Sequence, residues 1–389
     1  MIVELHMLQN FAPSCLNRDD TNSPKECQFG GYRRARISSQ CIKRAIREDF
    51  KKSLDLPPEF LARRSKLFVD KLTDKLIQGG KRQEEARVVA IRALNSIGLG
   101  VDEKDNTTQY LLFLGEKELN NMAEMVLANW AGLKSIDAKE KAGKQKSDLG
   151  KKLKGTLDGG KAVDLALFGR MLADLPDKNI DAACQVAHAI STNKVNVEFD
   201  FYTAVDDIKP KEEAGAGMMG TIEFNSACYY RYANIDLNQL ERNLLGKPWD
   251  KATADELKEA KALAQKSVEA FITAAVSAVP SGKQTSMASP TPPDFILAVV
   301  RDSGAWSLAN AFAKPVSPGS NGNLVEHSIT ALVDYWNRLV EVYGDKGVRA
   351  KPALALVKAE LTGLNPVENM DRIIEEVMKV VTDGSQKGG

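Results

Sequence analysis

Arg33-Arg34-Ala35-Arg36-Ile37-Ser38-Ser39-Gln40-Cys41-Ile42-Lys43-Arg44-Ala45-Ile46-Arg47 contains six cations and not one acid. The remainder of the chain does not share this bias, because 53 Lys and Arg balance 52 Asp and Glu over 389 residues. A local concentration of positive charge in a neutral protein points to a bound polyanion. The same stretch predicts a helix over 40–52, capped by Ser38 or Ser39. Ile42, Ala45, Ile46 and Phe50 then form an inward stripe at three- and four-residue spacing, and Lys43, Arg44, Arg47 and Lys51 fall on the outward flank.

Ser38-Ser39-Gln40 is therefore a candidate phosphate cradle, with first-turn N–H groups, hydroxyls and the positive end of the helix dipole in one place. Arg36, Lys43, Arg44 and Arg47 would surround a phosphodiester held there. Such contacts position a polymer without reading its letters. The alternative is a solvated basic helix face with an ordinary serine cap.

Outward from this stretch, residues 11–36 contain Pro13, Pro24, Gly30 and Gly31 and read as a long functional loop. Within it, Asn17-Arg18-Asp19-Asp20 admits two readings. The carboxylates hold a divalent metal for nuclease chemistry, or they orient Arg18 and cap a turn. No third carboxylate or histidine lies at useful spacing, which favours the turn and implies no metal and no cofactor. Residues 2–8 alternate as a half-buried strand, with Val3, Leu5 and Met7 on one face.

Helical periodicity dominates from about 55 to 182, over 60–78, 83–97 and 107–133. The segment 134–161 carries nine lysines against four acids and reads as solvated. Strand alternation returns at 195–205 and 222–232, on either side of a Gly-rich tip at 209–220, as a long hairpin. Tyr202 is by parity the aromatic left exposed for base stacking, and Phe199 and Phe201 fall on the opposite face. Gly169-Arg170-Met171 sets a cation beside a flexible apolar wedge suited to parting stacked bases; the bland reading of Met171 is core. Helices at 237–245, 253–279, 324–343 and 366–382 and a strand at 294–300 complete an α+β chain.

Five scattered cysteines without a CxxC pair imply free thiols in a reducing cytoplasm. His188, in Val186-Ala187-His188-Ala189-Ile190, reads as a partnered structural histidine rather than a metal ligand. Gly282-Lys283-Gln284 lacks the first glycine and the Lys-Ser/Thr pair of a phosphate loop, so it does not support ATP binding. No run of about 18 apolar residues marks a membrane span, and no secretory signal is visible.

Several longer motifs carry a family resemblance. They are Ser14-Cys15-Leu16-Asn17-Arg18-Asp19-Asp20, Phe29-Gly30-Gly31, Arg36-Ile37-Ser38-Ser39-Gln40, Ala166-Leu167-Phe168-Gly169-Arg170-Met171, Ala187-His188-Ala189-Ile190-Ser191-Thr192, Phe201-Tyr202-Thr203-Ala204-Val205-Asp206-Asp207, Tyr230-Arg231-Tyr232-Ala233-Asn234-Ile235 and Leu308-Ala309-Asn310-Ala311-Phe312. In these the chain resembles the CasC family, the guide-RNA-binding backbone subunit of the type I-E CRISPR Cascade complex. The resemblance implies a ferredoxin-like (RRM-like) palm formed by 1–54 and 183–389. It also implies a helical fingers insertion at 55–182 and a β-hairpin thumb at 195–224.

It further implies a non-enzymatic protein that stacks head to tail with copies of itself along crRNA. The guide is kinked at intervals and its bases are presented to target DNA. Other Cascade subunits and a recruited helicase–nuclease would be its partners. By position, Arg18, Lys25, Ser39, Gln40, Lys43, Arg44 and Arg47 would hold guide phosphates, and Met171, Tyr202 and Thr203 would sit at the kink. The rival expectation is a backbone ribonuclease, similar to those of type III complexes, that cuts bound target RNA through Asp19 or Asp20.

Overall fold

Ile2–Ser14 forms one strand, β1, and it is buried on both faces over most of its length. This exceeds the half-buried strand expected over 2–8, because β1 is central: it lies between Phe295–Arg301 and Ala216–Asp236 in an eleven-stranded mixed sheet. The computed structural model describes residues 1–53, 56–102, 104–135, 148–205, 216–319 and 323–386. Most of the hairpin tip and much of the lysine-rich segment fall outside the described residues.

Two compact units divide the chain. Met1–Ser53, Gln185–Ile235 and Val268–Gly389 make the first, and Leu54–Cys184 with Asp236–Ser267 the second. The sheet runs in the order Asn365–Pro366, Pro352–Ala355, Phe295–Arg301, β1, Ala216–Asp236, Ala189–Ser191, Tyr32–Ile37 (β3) and Glu26–Phe29 (β2). Its core closes under the helix Leu324–Tyr343, where Trp336, Ile329 and Leu332 meet Phe295, Phe312 and Tyr230. The mixture of one large sheet with helices is the expected α+β class.

The second unit packs the helices Phe68–Gln78, Gln83–Ser96 and Glu116–Ala128 around Leu72, Leu76, Val89, Leu94, Met122 and Val126. The helix expected over 107–133 begins only at Glu116 and that over 60–78 only at Phe68, since Leu112–Gly115, buried throughout, pairs with Ala62–Ser65 in a two-stranded sheet. Asp236–Ser267, which the sequence reading left with the palm, joins this unit. There Asn243 donates to the carbonyls of Ala166 and Asp181, each at 2.8 Å.

The loop expected over 11–36 is a correction: β1 extends to Ser14, and β2 and β3 form a hairpin. Gly30 and Gly31 turn it with φ of 61° and 84°, a conformation open to glycine at little cost. A Cβ on Gly30 would also fall 1.7 Å from the Ala313 carbonyl oxygen.

Arg34 explains why β3 keeps its place. It is fully buried, and its guanidinium donates to the carbonyls of Ser191 and Thr192 (both 2.8 Å), Phe312 (2.6 Å) and Ala313 (3.3 Å). Of the six cations in the opening stretch, this one is therefore structural. Arg34→Ala would leave several buried carbonyls without a donor. We expect it to lower unfolding free energy by about 3 kcal/mol, read by chemical denaturation.

Candidate nucleic-acid interface

With Arg34 turned inward, alternation along β3 sends Arg33 outward; Arg36 shares the face of Arg34 but lies near the strand's end, where it is half-exposed. Arg33 is spent on an ion pair with Glu26. Arg36 donates from Nε to the Glu26 carbonyl at 3.2 Å and from Nη1 to His188 Nδ1 at 3.1 Å. Its own N–H donates to the Lys25 carbonyl at 2.9 Å. Lys25, Arg36 and His188 thus meet from three separate segments. His188 is exposed, not enclosed among apolar neighbours, and charge analysis of the sequence missed it. Only the pairing of Arg36 with Ile190 brings it there.

The helix α1, Ser39–Ser53, starts where expected. Ser38 is its cap, and its Oγ accepts from the Cys41 N–H at 3.3 Å. Ser38 is itself buried, and Asn17 Oδ1 accepts from its N–H at 2.8 Å. Ser38 therefore shapes the cradle, and Ser39 and Gln40 supply the first-turn N–H groups that a helix cannot satisfy internally. Ile42, Ile46 and Phe50 are the buried stripe, Arg44 is exposed, and Lys43 and Arg47 are half-buried.

The Asn17–Lys25 loop is held by its own polar groups. The Lys25 N–H donates to the Asn17 carbonyl at 2.8 Å, and Arg18 donates to Asn22 Oδ1 at 2.5 Å. Asp19 Oδ1 accepts from the Thr21 hydroxyl (2.8 Å), the Thr21 N–H (2.9 Å) and the Ser23 N–H (3.0 Å). Those bonds, led by the Thr21 hydroxyl, hold its carboxyl below the usual carboxylate range. Asp19 is thus the keystone of a turn, the second of the two readings. Among the described residues, no three His, Cys, Asp or Glu side chains are grouped to hold a metal ion. A groove of about 1050 Å³ opens beside the loop, with Arg18, Arg44 and Lys52 on one side and 276–282 on the other.

In the second unit the expectations for Arg170 and Met171 exchange places. Arg170 is buried, with Nη1 bonded to both carboxylate oxygens of Glu118 at 2.8 and 2.9 Å. It is thereby withdrawn from the candidate RNA contacts. Met171 is 82% exposed, against the core reading. It is held out because both neighbours are anchored: Arg170 by Glu118 and by backbone pairing with Ile180 at 2.9 Å, Leu172 by burial and a 2.6 Å bond to Asn179.

On the hairpin, Glu198–Val205 pairs antiparallel with the Ala216–Asp236 strand, and Tyr202 lies opposite Gly220. Thr203 is exposed. Tyr202 is exposed as expected, at 37%, but parity misjudged its neighbours: Phe199 and Phe201 are 65% and 63% exposed. Alternation identifies which residues share a face, but among the described residues no other layer covers Phe199 or Phe201. Opposite Thr203, Met219 extends the exposed apolar face of Phe199 and Phe201. All five cysteines are free. No helix among the described residues is long and apolar enough to cross a membrane.

A family model described as CT1975-like protein matches residues 3–379. No curated protein matches the chain. Among solved structures, a chain of a CRISPR RNA-guided surveillance complex, pre-nicking, is 29% identical, with 98% of this chain and 100% of that one covered and a TM-score of 0.83. A chain of a second CRISPR RNA-guided surveillance complex is 25% identical at the same coverage, with a TM-score of 0.72.

The opposite placements of Arg170 and Met171 give opposite expectations for stability. Glu118→Ala should cost about 3–5 kcal/mol, since it strands a buried cation. Met171→Ala should stay within about 0.5 kcal/mol of the parent, since it removes only exposed surface. Denaturant titration of the two variants checks both.

Proposed function

The chain belongs to the CT1975-like protein family, and from that premise we propose that it is the guide-binding backbone subunit of a type I-E CRISPR surveillance complex. Copies stack head to tail along crRNA, hold its sugar–phosphate backbone and leave its bases free to pair with target DNA. The first unit then acts as an RRM-like palm, the second as the helical fingers, and the antiparallel hairpin as the thumb. Other Cascade subunits complete the assembly. A recruited helicase–nuclease cuts the target, so this chain carries no catalytic residue, and its place is the cytoplasm.

The observation that carries this reading is the cationic strip on the first unit. Arg18, Lys25, Arg36, Lys43, Arg44 and Arg47, with the Ser39–Gln40 helix start, offer point charges and N–H donors suited to phosphate oxygens. Contacts of that kind position a sugar–phosphate backbone and carry no sequence information. A protein that must serve every spacer needs this property, because specificity is delegated to base pairing. Several phosphate contacts per copy, multiplied along one strand, give avidity without sequence preference. Head-to-tail contacts that do not close extend as an open array. We assign Met171, and separately Tyr202 and Thr203, to nucleotides displaced from the guide's stack, where a flexible thioether or an aromatic ring replaces lost stacking. The ribonuclease alternative finds no support in the turn-forming role of Asp19.

Replacing Lys43, Arg44 and Arg47 together by alanine should weaken single-stranded RNA binding equally for unrelated sequences. The slope of log affinity against log salt should fall by about 2, at roughly 0.7 per lost phosphate contact. Filter binding across a salt series reads this, and an unchanged slope would place the guide elsewhere.

A further inference from the structure

Arg36 and His188 form a pair whose chemistry the phosphate strip alone does not explain. Arg36 Nη1 lies 3.1 Å from His188 Nδ1, and a guanidinium has only donors to offer. Nδ1 must therefore be the accepting, unprotonated nitrogen, which leaves the ring neutral with its proton on Nε2. The charged groups acting on the ring are both positive, Arg36 from β3 and Lys25 from the loop before β2. Glu26, the acid beside Lys25 in sequence, is engaged by Arg33. Lost solvation of the ring, followed by Arg36 and Lys25, holds the His188 imidazole below its ordinary value. An exposed histidine thus accepts from one cation, Arg36, and lies near a second, Lys25.

An oxyanion placed there opposes the two cationic influences, Arg36 and Lys25. It offers Arg36 a better acceptor than a neutral ring nitrogen, and charge-assisted bonds to phosphate are the stronger kind. Nδ1, released from Arg36, is then free to take a proton from solvent, and the imidazolium becomes a third positive group facing the phosphate. We propose that His188 is a proton-linked contact to the phosphodiester backbone of the guide, so that each copy takes up a proton as RNA seats against Lys25, Arg36 and His188. One N–H bond forms at Nδ1 as one O–H bond of a hydronium ion from solvent breaks, leaving water. This rests on reading the strip as the RNA surface.

The sign follows from linkage. Binding raises the pKa of the ring, so the added affinity is fully present below the free-protein pKa and is lost as pH rises through the bound-state pKa. Between those two values, affinity changes by at most about tenfold per pH unit for each site. His6 does not confuse the measurement: burial, with Arg301 nearby, pushes it down to about 3. His327 is the remaining histidine, and its Nδ1 lies 2.9 Å from the Ser317 carbonyl.

The test measures fluorescence anisotropy of a labelled single-stranded RNA with the full chain, at fixed salt, at about pH 6 and about pH 7.5, around the ordinary histidine value. Wild type and His327→Gln are expected to bind severalfold more tightly at the lower pH, and His188→Gln to show a flat response. A His188→Gln response matching wild type, or RNA binding by wild type without pH dependence, overturns the proton link and leaves the RNA surface standing. Absence of RNA binding by wild type at either pH overturns the surface and the link together.

Discussion

A buried guanidinium governs the first unit. The Nη1 and Nη2 of Arg34 donate to carbonyl oxygens from two segments far away in sequence, 191–192 and 312–313. Removing a cation from water is costly unless its donors are met, so the arrangement persists only if those backbone segments converge. Once they do, β3 cannot slip, because a shift of one residue would turn Arg34 outward and put Arg33 or Ala35 in its place. The β2–β3 turn makes the same demand independently, since Gly30 packs against the Ala313 carbonyl where no Cβ fits.

The second unit uses the same device for a different display. Glu118 accepts from the N–H groups of Gly115 and Gly159 at 2.8 and 2.7 Å as well as from Arg170. The pair is thus integrated into three backbone segments of its unit. Burial pushes the Glu118 carboxyl up, and the Arg170 charge opposes that push. The ion pair fixes the backbone one residue before Met171, so an unbranched side chain with several rotatable bonds projects from a rigid base. In each unit a buried arginine positions an exposed neighbour that meets solvent, and sequence alone makes the two arginines look alike.

Charge also acts through what is neutralised. Arg33 is paired with Glu26, Lys51 with Glu48, and the groove beside Arg44 is lined by acids as well as bases. Lys25, Arg36 and Arg44, by contrast, have no salt-bridge partner among the described residues. A strip that binds a phosphate rail needs such uncommitted charge, since an exposed ion pair contributes little and offers little to a new partner. The exposed apolar face of Phe199, Phe201 and Met219 is the hydrophobic counterpart on the hairpin.

Much of this was legible in the chain itself. The period of Ile42, Ile46 and Phe50 set the orientation of α1, the serine before it set its start, and strand alternation located the hairpin; each depends only on neighbours in sequence. The motifs around Asn17, Ser38 and Gly169 were sufficient to identify the family. What local pattern could not decide was which cations are spent. Arg34 and Arg170 are indistinguishable in sequence from Arg36 and Arg44, and their burial depends on carbonyls and a carboxylate supplied from far along the chain. His188 entered the cationic strip only through the pairing of Ile190 with Arg36, and Phe199 and Phe201 were left exposed because no layer among the described residues packs over them. Sequence determines the period and sign of a surface, because those are properties of adjacent residues. Tertiary structure alone decides which charges and rings remain available, because availability depends on what the rest of the chain places against them.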